Sequence, residues 1–362
     1  MLEPYLEDLE KRIDPEVEDQ LQAEWQAFLE NKFSGAIFSP RRVRAAEAQI
    51  AWPKVLVNDA LNDFEQMTLQ QLGACSAALA EGSGALLMAR ANYGTCILPS
   101  LFGAEIFYMD REIDTLPTSR PIAGGSEALI ALIEKGIPDP EQGMGAQIFE
   151  TTRKTLDLFK NYPKIARYVS LYHPDTQGPM DVCELLWGSR LFLDIYDQPE
   201  LVHALLKLIT ATYTRFLRRW FALVSGAPYS PQPSQRFAPH WALLHRGVIM
   251  LRDDSAMNFS PRMFEQFIEP YDQQLLDEFN GGAVHFCGKG SHYIRRMGQM
   301  RGVYGIQLTQ PEYNDMEHIY QHTVDKGIPL LALEPREAER TLAEGRSLHG
   351  LVHCWQPLKE LQ

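Results

Sequence analysis

The sequence predicts an α/β protein, a (β/α)8 TIM barrel that carries an N-terminal helical extension. Three observations lead to this prediction. From about residue 85 onward, short apolar runs alternate with long amphipathic segments, which is typical of β/α units. No glycine-rich phosphate-binding fingerprint follows the early strands, because Gly-Ser-Gly at 82–84 precedes a strand and does not open a helix. Several predicted strands end in chemically active residues, as the mouth of a barrel requires.

The N-terminal part is predicted to be helical, with residues 1–80 forming the extension and residues 81–362 forming the barrel. The pattern of residues 1–32 is charged and helical, with a single apolar stripe. That stripe consists of Leu21, Trp25, Phe28 and Leu29. A second amphipathic helix is predicted to begin at Asn58. Both helices have an apolar side that can pack onto the barrel.

Short apolar runs mark the clearest strands, and the clearest helices lie between them. The predicted strands are residues 85–88, 166–171, 248–251, 283–286, 303–308, 329–333 and 350–353. One long helix is predicted to begin near Pro199. Another begins at Ser260-Pro261, where serine is a good N-cap and proline suits the first helical position. Parallel strands joined by helices form either an open doubly wound sheet or a closed barrel.

The ends of the predicted strands favour the barrel. In a barrel enzyme, catalytic groups come from the carboxyl ends of several different strands. The polar residues found at such ends here are Arg252-Asp253-Asp254, His285 and Cys287, Gln307, Glu334, and His353-Cys354.

Composition and charge exclude several classes of function. The chain has 362 residues and a net charge of −13, so it gains little from the electrostatic attraction that drives nucleic-acid binding. The basic run Arg41-Arg42-Val43-Arg44 is interpreted as a solvated helix face. The acidic N-terminus is no secretory signal, and no apolar stretch reaches the roughly 18 residues of a membrane helix. Five scattered cysteines fit the reducing cytoplasm, where we expect the protein to reside.

The segment "GGAVHFCGKG" at 281–290 is a candidate half of a metal site. In a strand, side chains alternate between faces, so His285 and Cys287 point to the same side. A second thiol, Cys354, ends the last predicted strand and would lie near the first across a barrel mouth. One histidine and two thiolates leave an open tetrahedral position, as in catalytic zinc sites. The alternative is that these residues are ordinary buried core fillers.

The sequence resembles the uroporphyrinogen decarboxylase superfamily over roughly residues 50–362. One matching block is "GVIMLRDDSAMNFSPRMFEQFIEPYDQQLLDEFNGGAVHFCG", with a strand, an acidic turn, Ser-Pro, and Pro-Tyr before the next strand. Two further blocks are "ANYGTCILPSLFGAE" and "GPMDVCELLWGSRLFLDIYDQPELVHALLKLIT". The resemblance implies a (β/α)8 barrel with N-terminal helical additions.

The resemblance does not extend to the decarboxylase's own chemistry. The family's N-terminal Arg-Gln-Ala-Gly-Arg-Tyr motif has no counterpart, and the nearest basic run is "SPRRVRAAEA". Gly94 stands where the decarboxylases carry their essential aspartate, and Leu185 stands where they carry a tyrosine. These losses argue against decarboxylation of a tetrapyrrole, which stays as an alternative reaction class on this fold.

Within the same superfamily, the chain is most similar in its site residues to the corrinoid-dependent methyltransferases of the methylcobalamin:coenzyme M type. These carry zinc on a His-x-Cys pair and a distant C-terminal cysteine, a pattern that His285, Cys287 and Cys354 match. The resemblance implies a methyl group moved between a corrinoid on a small partner protein and a thiol or similar small molecule. A non-catalytic corrinoid-binding accessory barrel is a further alternative, and the oligomeric state stays open, with a homodimer as one option.

Five further residues are candidates for catalysis or substrate binding. Asp254 and Glu184 are predicted to act as catalytic acid or base groups. Asn92 and Tyr93, in the loop that the family uses for substrate, and Asp253 at a strand end are predicted to bind substrate. The alternatives are a turn cap or solvated carboxylate for the two aspartates and a helix-surface carboxylate for Glu184.

Overall fold

The computed structural model describes residues 2–225 and 236–355 and confirms the α/β class. The helices are α1 (Glu3–Arg12), α2 (Pro15–Leu29), α3 (Val57–Asn62), α4 (Phe64–Glu81), α5 (Ile97–Leu101), α6 (Gly125–Lys135), α7 (Met144–Phe159), α8 (Pro163–Tyr168), α9 (Pro179–Trp187), α10 (Leu191–Asp197), α11 (Pro199–Val224), α12 (Pro261–Phe267), α13 (Glu269–Glu278), α14 (Ile294–Met297), α15 (Met316–His322) and α16 (Pro335–Ala343). The strands are β1 (Ile37–Phe38), β2 (Met88–Ala89), β3 (Ile106–Phe107), β4 (Thr118–Ser119), β5 (Ser170–Leu171), β6 (Phe237–His240), β7 (Leu243–Arg246), β8 (Ile249–Arg252), β9 (Gly282–Phe286), β10 (Val303–Leu308) and β11 (Val352–His353). Single 3₁₀ turns cover Asp254–Asn258, Pro311–Tyr313 and Val324–Lys326.

Parallel pairing joins the strands into two groups. β9 lies between β8 and β10, Leu330 bridges β10 to β11, and β11 pairs with β1. β2 pairs with β5 in the second group. Between these described strands, backbone pairing does not close a complete ring, so a TIM barrel is not shown. Because β1 pairs with β11, residues 1–80 contribute a strand to the sheet as well as helices.

Most of the predicted strands are present, although several are short. Residues 303–308 form β10 as predicted, and the strands predicted at 248–251 and 283–286 correspond to β8 and β9 within one residue. The strand predicted at 166–171 is wrong in its first half, because Pro163 opens α8, which continues to Tyr168. The strand predicted at 329–333 is reduced to a bridge at Leu330, although Leu331 and Leu333 also donate backbone hydrogen bonds, to Ile306 and His353.

α2 and α12 begin at side-chain N-caps, whereas the helices predicted from Asn58 and near Pro199 begin at Val57 and Pro199 without one. The side chain of Asp14 accepts a hydrogen bond from the backbone of Glu16 at the start of α2. Ser260 caps α12 in the same manner and is followed by proline at the first helical position, as predicted. Within the buried stripe of α2, Trp25 donates a hydrogen bond of 3.0 Å to the carbonyl of Gly84, in the segment before β2.

An antiparallel hairpin, β6–β7, packs against the sheet and was not predicted. Its turn consists of Trp241 and Ala242, whose φ angles are 46° and 64°. Two-residue hairpin turns of this kind favour glycine or asparagine, because positive φ is costly for bulky side chains. A tryptophan in this conformation is therefore held there by its tertiary contacts.

The two faces of β8–β9–β10 meet different parts of the molecule. The hairpin face, which packs against the hairpin and α2, carries Met250 and Ala283 together with Leu331. The helix face, which packs among the surrounding helices, carries Leu251, Val284 and Ile306. Alternation along each strand therefore decides whether a side chain enters the space beside the hairpin or the core beneath the helices.

The basic run at 41–44 is not a solvated helix face, which corrects the interpretation drawn from its spacing. It lies in an irregular segment, and the guanidinium of Arg42 is buried against Glu18 of α2 with two hydrogen bonds of 2.6 and 2.8 Å. Arg42 also donates to the carbonyl of Ser83. This pair joins α2 to the segment that precedes β2.

We expect Arg42→Ala to lower the free energy of unfolding by about 3–5 kcal/mol, because it leaves the buried Glu18 carboxylate without its cation. Arg44→Ala is the matched control, since the pair of Arg44 with Asp14 is exposed and contributes about 1 kcal/mol or less. Urea unfolding followed by tryptophan fluorescence measures both. Equal, small losses in the two variants would show that the buried pair does not hold α2 in place.

Candidate metal centre

The candidate centre is built on β9, the central strand of its group. Gly282 opens the strand, and a Cβ there would lie 1.7 Å from the carbonyl oxygen of Ile249, so only glycine allows this approach to β8. From that start, alternation places His285 on the hairpin face, where its ring lies 4.9 Å from that of Trp241 at 82°. Cys287 follows on the same side, immediately after the strand.

Three ligand atoms converge at this strand end. Among residues 2–225 and 236–355, Asp254, His285 and Cys287 form the one group of at least three potential ligands within 4.8 Å of one another. Nε2 of His285 lies 3.4 Å from Sγ of Cys287 and 3.5 Å from Oδ1 of Asp254. Tetrahedral zinc with ordinary bond lengths has ligand–ligand edges of about 3.3–3.7 Å. Two of the three edges of the group therefore match tetrahedral zinc, and three ligands leave one tetrahedral position open.

The protonation states of the group also suit a metal. Burial lowers the pKa of His285, against the raising effect of the Asp254 carboxylate, so the imidazole is neutral and able to ligate. Burial raises the pKa of Cys287 to about 11, against the lowering effect of the Thr309 hydroxyl. A divalent cation favours the thiolate and releases its proton. Metal binding at this site is therefore expected to strengthen as pH rises.

Cys354 is not brought into this group. It follows β11 and packs fully buried on the helix face, in the same cluster as Val352. Its neighbour His353 faces the other way, with its ring 4.6 Å from that of Trp25. Burial raises the pKa of Cys354 to about 12. The sequence contains the residue types of a His-Cys-Cys zinc site. Strand alternation, however, places the Cys354 thiol on the face opposite to His285 and Cys287. Cys354 is therefore left out of the ligand set argued below, and the zinc affinity of its variant tests the ligand role expected from the sequence.

Asp254 is held by a network that includes Glu184. The backbone N–H groups of Asp254 and Ser255 donate to the buried carboxylate of Asp181, at 3.1 and 2.7 Å. Oδ1 of Asp254 accepts from the backbone of Cys287 at 2.8 Å. The Ser255 hydroxyl donates to Glu184 at 2.5 Å. Glu184 therefore lies outside the group of ligand atoms and supports the turn that presents Asp254.

The three predicted substrate-binding residues lie outside the group as well. Asp253 is buried, and burial together with the neighbouring Asp272 carboxyl raises its pKa well above the usual value. The Tyr93 hydroxyl is 2.9 Å from that of Thr151 on α7, within a buried cluster. Oδ1 of Asn92 is buried without a hydrogen-bond partner. In this arrangement none of the three side chains joins the group that the metal ligands form.

A buried charged layer lies beneath the centre, and sequence reasoning missed it. Nε of Arg252 lies 2.7 Å from Oδ1 of Asp175, and its Nη2 donates to Nε2 of His240 at 2.6 Å. Arg90 forms a second ion pair with Asp175 at 3.2 Å. Trp241 covers this layer, with its ring 4.7 Å from the guanidinium carbon of Arg252. Only Arg252 carried a signal in the sequence, as the polar end of a predicted strand.

Comparisons with known proteins agree on the fold alone. No family model and no curated protein sequence matches this chain. Among solved structures, a methyltransferase from Methanosarcina mazei superposes with a TM-score of 0.61 at 15% sequence identity, covering 94% of each chain. The chain therefore shares the fold of that methyltransferase along nearly its whole length. Within the described ranges, every helix is too short or too polar to span a bilayer.

We expect the purified protein to bind zinc and Cys287→Ser to weaken the affinity at least about 100-fold, because a ligand loss exceeds the effect of a lost supporting contact. Asp254→Asn is expected to weaken it by about tenfold or more for the same reason. Competition with a chromophoric chelator measures each dissociation constant.

Cys354→Ser is the matched control for the thiol, and we expect it to keep its zinc, because Cys354 lies on the opposite face of its strand. If Cys354→Ser lost as much zinc affinity as Cys287→Ser, the result would support the His-Cys-Cys ligand set that the sequence pattern predicts. Retention of zinc by Cys287→Ser would exclude the centre described above.

Proposed function

We propose that this protein is a zinc-dependent methyltransferase that moves a methyl group between a corrinoid and a small thiol. The observation that carries the proposal is the group of Asp254, His285 and Cys287, placed on the fold of a methyltransferase. The residues lost from the decarboxylase pattern, at Gly94 and Leu185, support this reaction over decarboxylation.

His285, Cys287 and Asp254 are the residues that would hold the zinc ion. When bound there, zinc supplies a Lewis acid that lowers the pKa of a substrate thiol, so that the thiolate is present at neutral pH. His285 contributes a neutral imidazole and Cys287 a thiolate, which keeps the substrate sulfur electron-rich. The Asp254 side chain, 41% exposed, would hold the metal through one carboxylate oxygen and accept the thiol proton on the other.

The methyl donor in this proposal is a methylated corrinoid carried by a small partner protein. The substrate thiolate attacks the methyl carbon, a sulfur–carbon bond forms, and the cobalt–carbon bond breaks with its electron pair left on cobalt. The reverse reaction uses the same residues. Asn92, Tyr93 and Asp253 stay predicted substrate contacts, and Glu184 acts through Ser255 to orient Asp254.

The proposal includes a closed (β/α)8 barrel and membership of the uroporphyrinogen decarboxylase superfamily. Two contacts support the barrel. The backbone of Gly178, after β5, donates to the carbonyl of Arg252 at the end of β8, which links the two groups of strands. Arg90, after β2, and Arg252, on β8, share the carboxylate of Asp175. The five cysteines are all free thiols, which supports the proposed cytoplasmic location.

We expect the zinc-loaded protein to transfer methyl groups from free methylcobalamin to one of a panel of small thiols. Asp254→Asn should lower the rate about 100-fold, because it removes the proton acceptor. Glu184→Gln should lower it by less than about tenfold, since the amide still accepts from Ser255. Loss of the methylcobalamin absorbance follows the reaction. A zinc-loaded protein that transfers no methyl group to any thiol, or an unchanged rate in Asp254→Asn, contradicts the proposal.

A further inference from the structure

The end of β10 runs beside the candidate centre in a fixed register. β10 pairs in parallel with β9, and Gln307 is the register partner of His285. The same offset continues beyond the strands, where the Thr309 hydroxyl donates to Sγ of Cys287 at 3.3 Å. One residue further, Oε1 of Gln310 accepts from the backbone N–H of Gly288 at 2.6 Å. His285, Cys287 and Gly288 thus each have a polar neighbour on β10 or just after it.

The imidazole of His285 needs a hydrogen-bond acceptor on its second nitrogen. Nε2 faces Sγ of Cys287 and Oδ1 of Asp254, so the ring ligates through Nε2 and carries its proton on Nδ1. That Nδ1 atom is buried and has no hydrogen-bond partner. A buried N–H left unpaired has lost its hydrogen bond to water without replacement, so a bond to a nearby acceptor is favoured.

Gln307 presents that acceptor. Its Oε1 atom is also buried and also without a hydrogen-bond partner, and Gln307 is the register partner of His285 on the neighbouring strand. The ring of Trp241 packs edge-on against the imidazole of His285. Rotation of the carboxamide joins the two unpaired atoms. Such a bond on the second nitrogen fixes the tautomer and orientation of a metal-binding histidine.

We propose that Gln307 and Thr309 are positioning residues for the metal centre, Gln307 by orienting the imidazole of His285 and Thr309 by hydrogen bonding to the sulfur of Cys287. This inference rests on the proposed zinc site and adds the residues that tune it. The hydroxyl of Thr309 draws charge from the thiolate, which adjusts how strongly Cys287 donates to the metal.

The test for Gln307 is the zinc affinity of the full-length protein, measured by chelator competition without corrinoid or thiol. Gln307→Ala is expected to weaken zinc binding about 10- to 100-fold, while Gln307→Glu, which keeps an acceptor, stays within about tenfold of wild type. Gln177→Ala is the matched control, because Gln177 is equally buried but donates to Asp175. Unchanged affinity in Gln307→Ala, or an equal loss in Gln177→Ala, overturns the role of Gln307.

The test for Thr309 is the thiolate-to-cobalt charge-transfer band of the Co(II)-substituted protein. Thr309→Val is expected to shift the band to lower energy, because the sulfur loses a hydrogen bond, and Thr309→Ser is expected to leave it unchanged. An unshifted band in Thr309→Val overturns the role of Thr309. If wild type binds zinc but transfers no methyl group, the proposed function fails while this inference stands. If wild type binds no zinc, both fail.

Discussion

The pairing of β9 between β8 and β10 is the constraint on which the candidate centre depends. Because side chains alternate along a strand, this register sends His285 and Cys287 to the hairpin face and brings Asp254, just after β8, against them. The same rule sends Cys354 to the helix face. A shift of β9 by one residue would move His285 and Cys287 to the helix face and separate them from Asp254. Gly282 enforces the register, because no other residue fits against Ile249.

Beneath the centre, the molecule buries charged side chains on the hairpin face of β8. Arg252 and Arg90 both form ion pairs with Asp175 within the layer, and neutral His240 accepts from Arg252. Burial and the nearby Arg252 hold the pKa of His240 well below its usual value. The strained turn at Trp241 closes the layer on the side of His285. The strained turn therefore fixes the Trp241 ring against the imidazole of His285.

Much of the fold could be predicted from sequence, because apolar periodicity and capping residues are local signals. The strand at 303–308 and the start of α12 at Ser260-Pro261 are as expected. The hairpin could not be predicted, since Trp241 and Ala242 are not turn formers and tertiary packing holds them. The burial of Arg42 could not be predicted either, because its partner Glu18 lies on a helix that is remote in sequence.

The site was predicted in part for the same physical reasons. Spacing alone places His285 and Cys287 on one side of a strand, and the structure brings them together. Asp254 was expected as an acid or base. Its place as the third candidate ligand depends on the pairing of β8 with β9, which brings it beside His285 and Cys287. Gln307 was expected only as the polar end of a predicted strand, and its proposed role follows from its register with His285.

X-ray absorption spectroscopy at the zinc edge of the metal-loaded protein tests the central claim most directly. The ligand set of Asp254, His285 and Cys287 predicts one sulfur at about 2.3 Å and nitrogen or oxygen atoms at about 2.0–2.2 Å. Two sulfur atoms in the first coordination shell would show that Cys354 reaches the metal and would contradict the ligand set. A shell of only nitrogen and oxygen would contradict the role of Cys287.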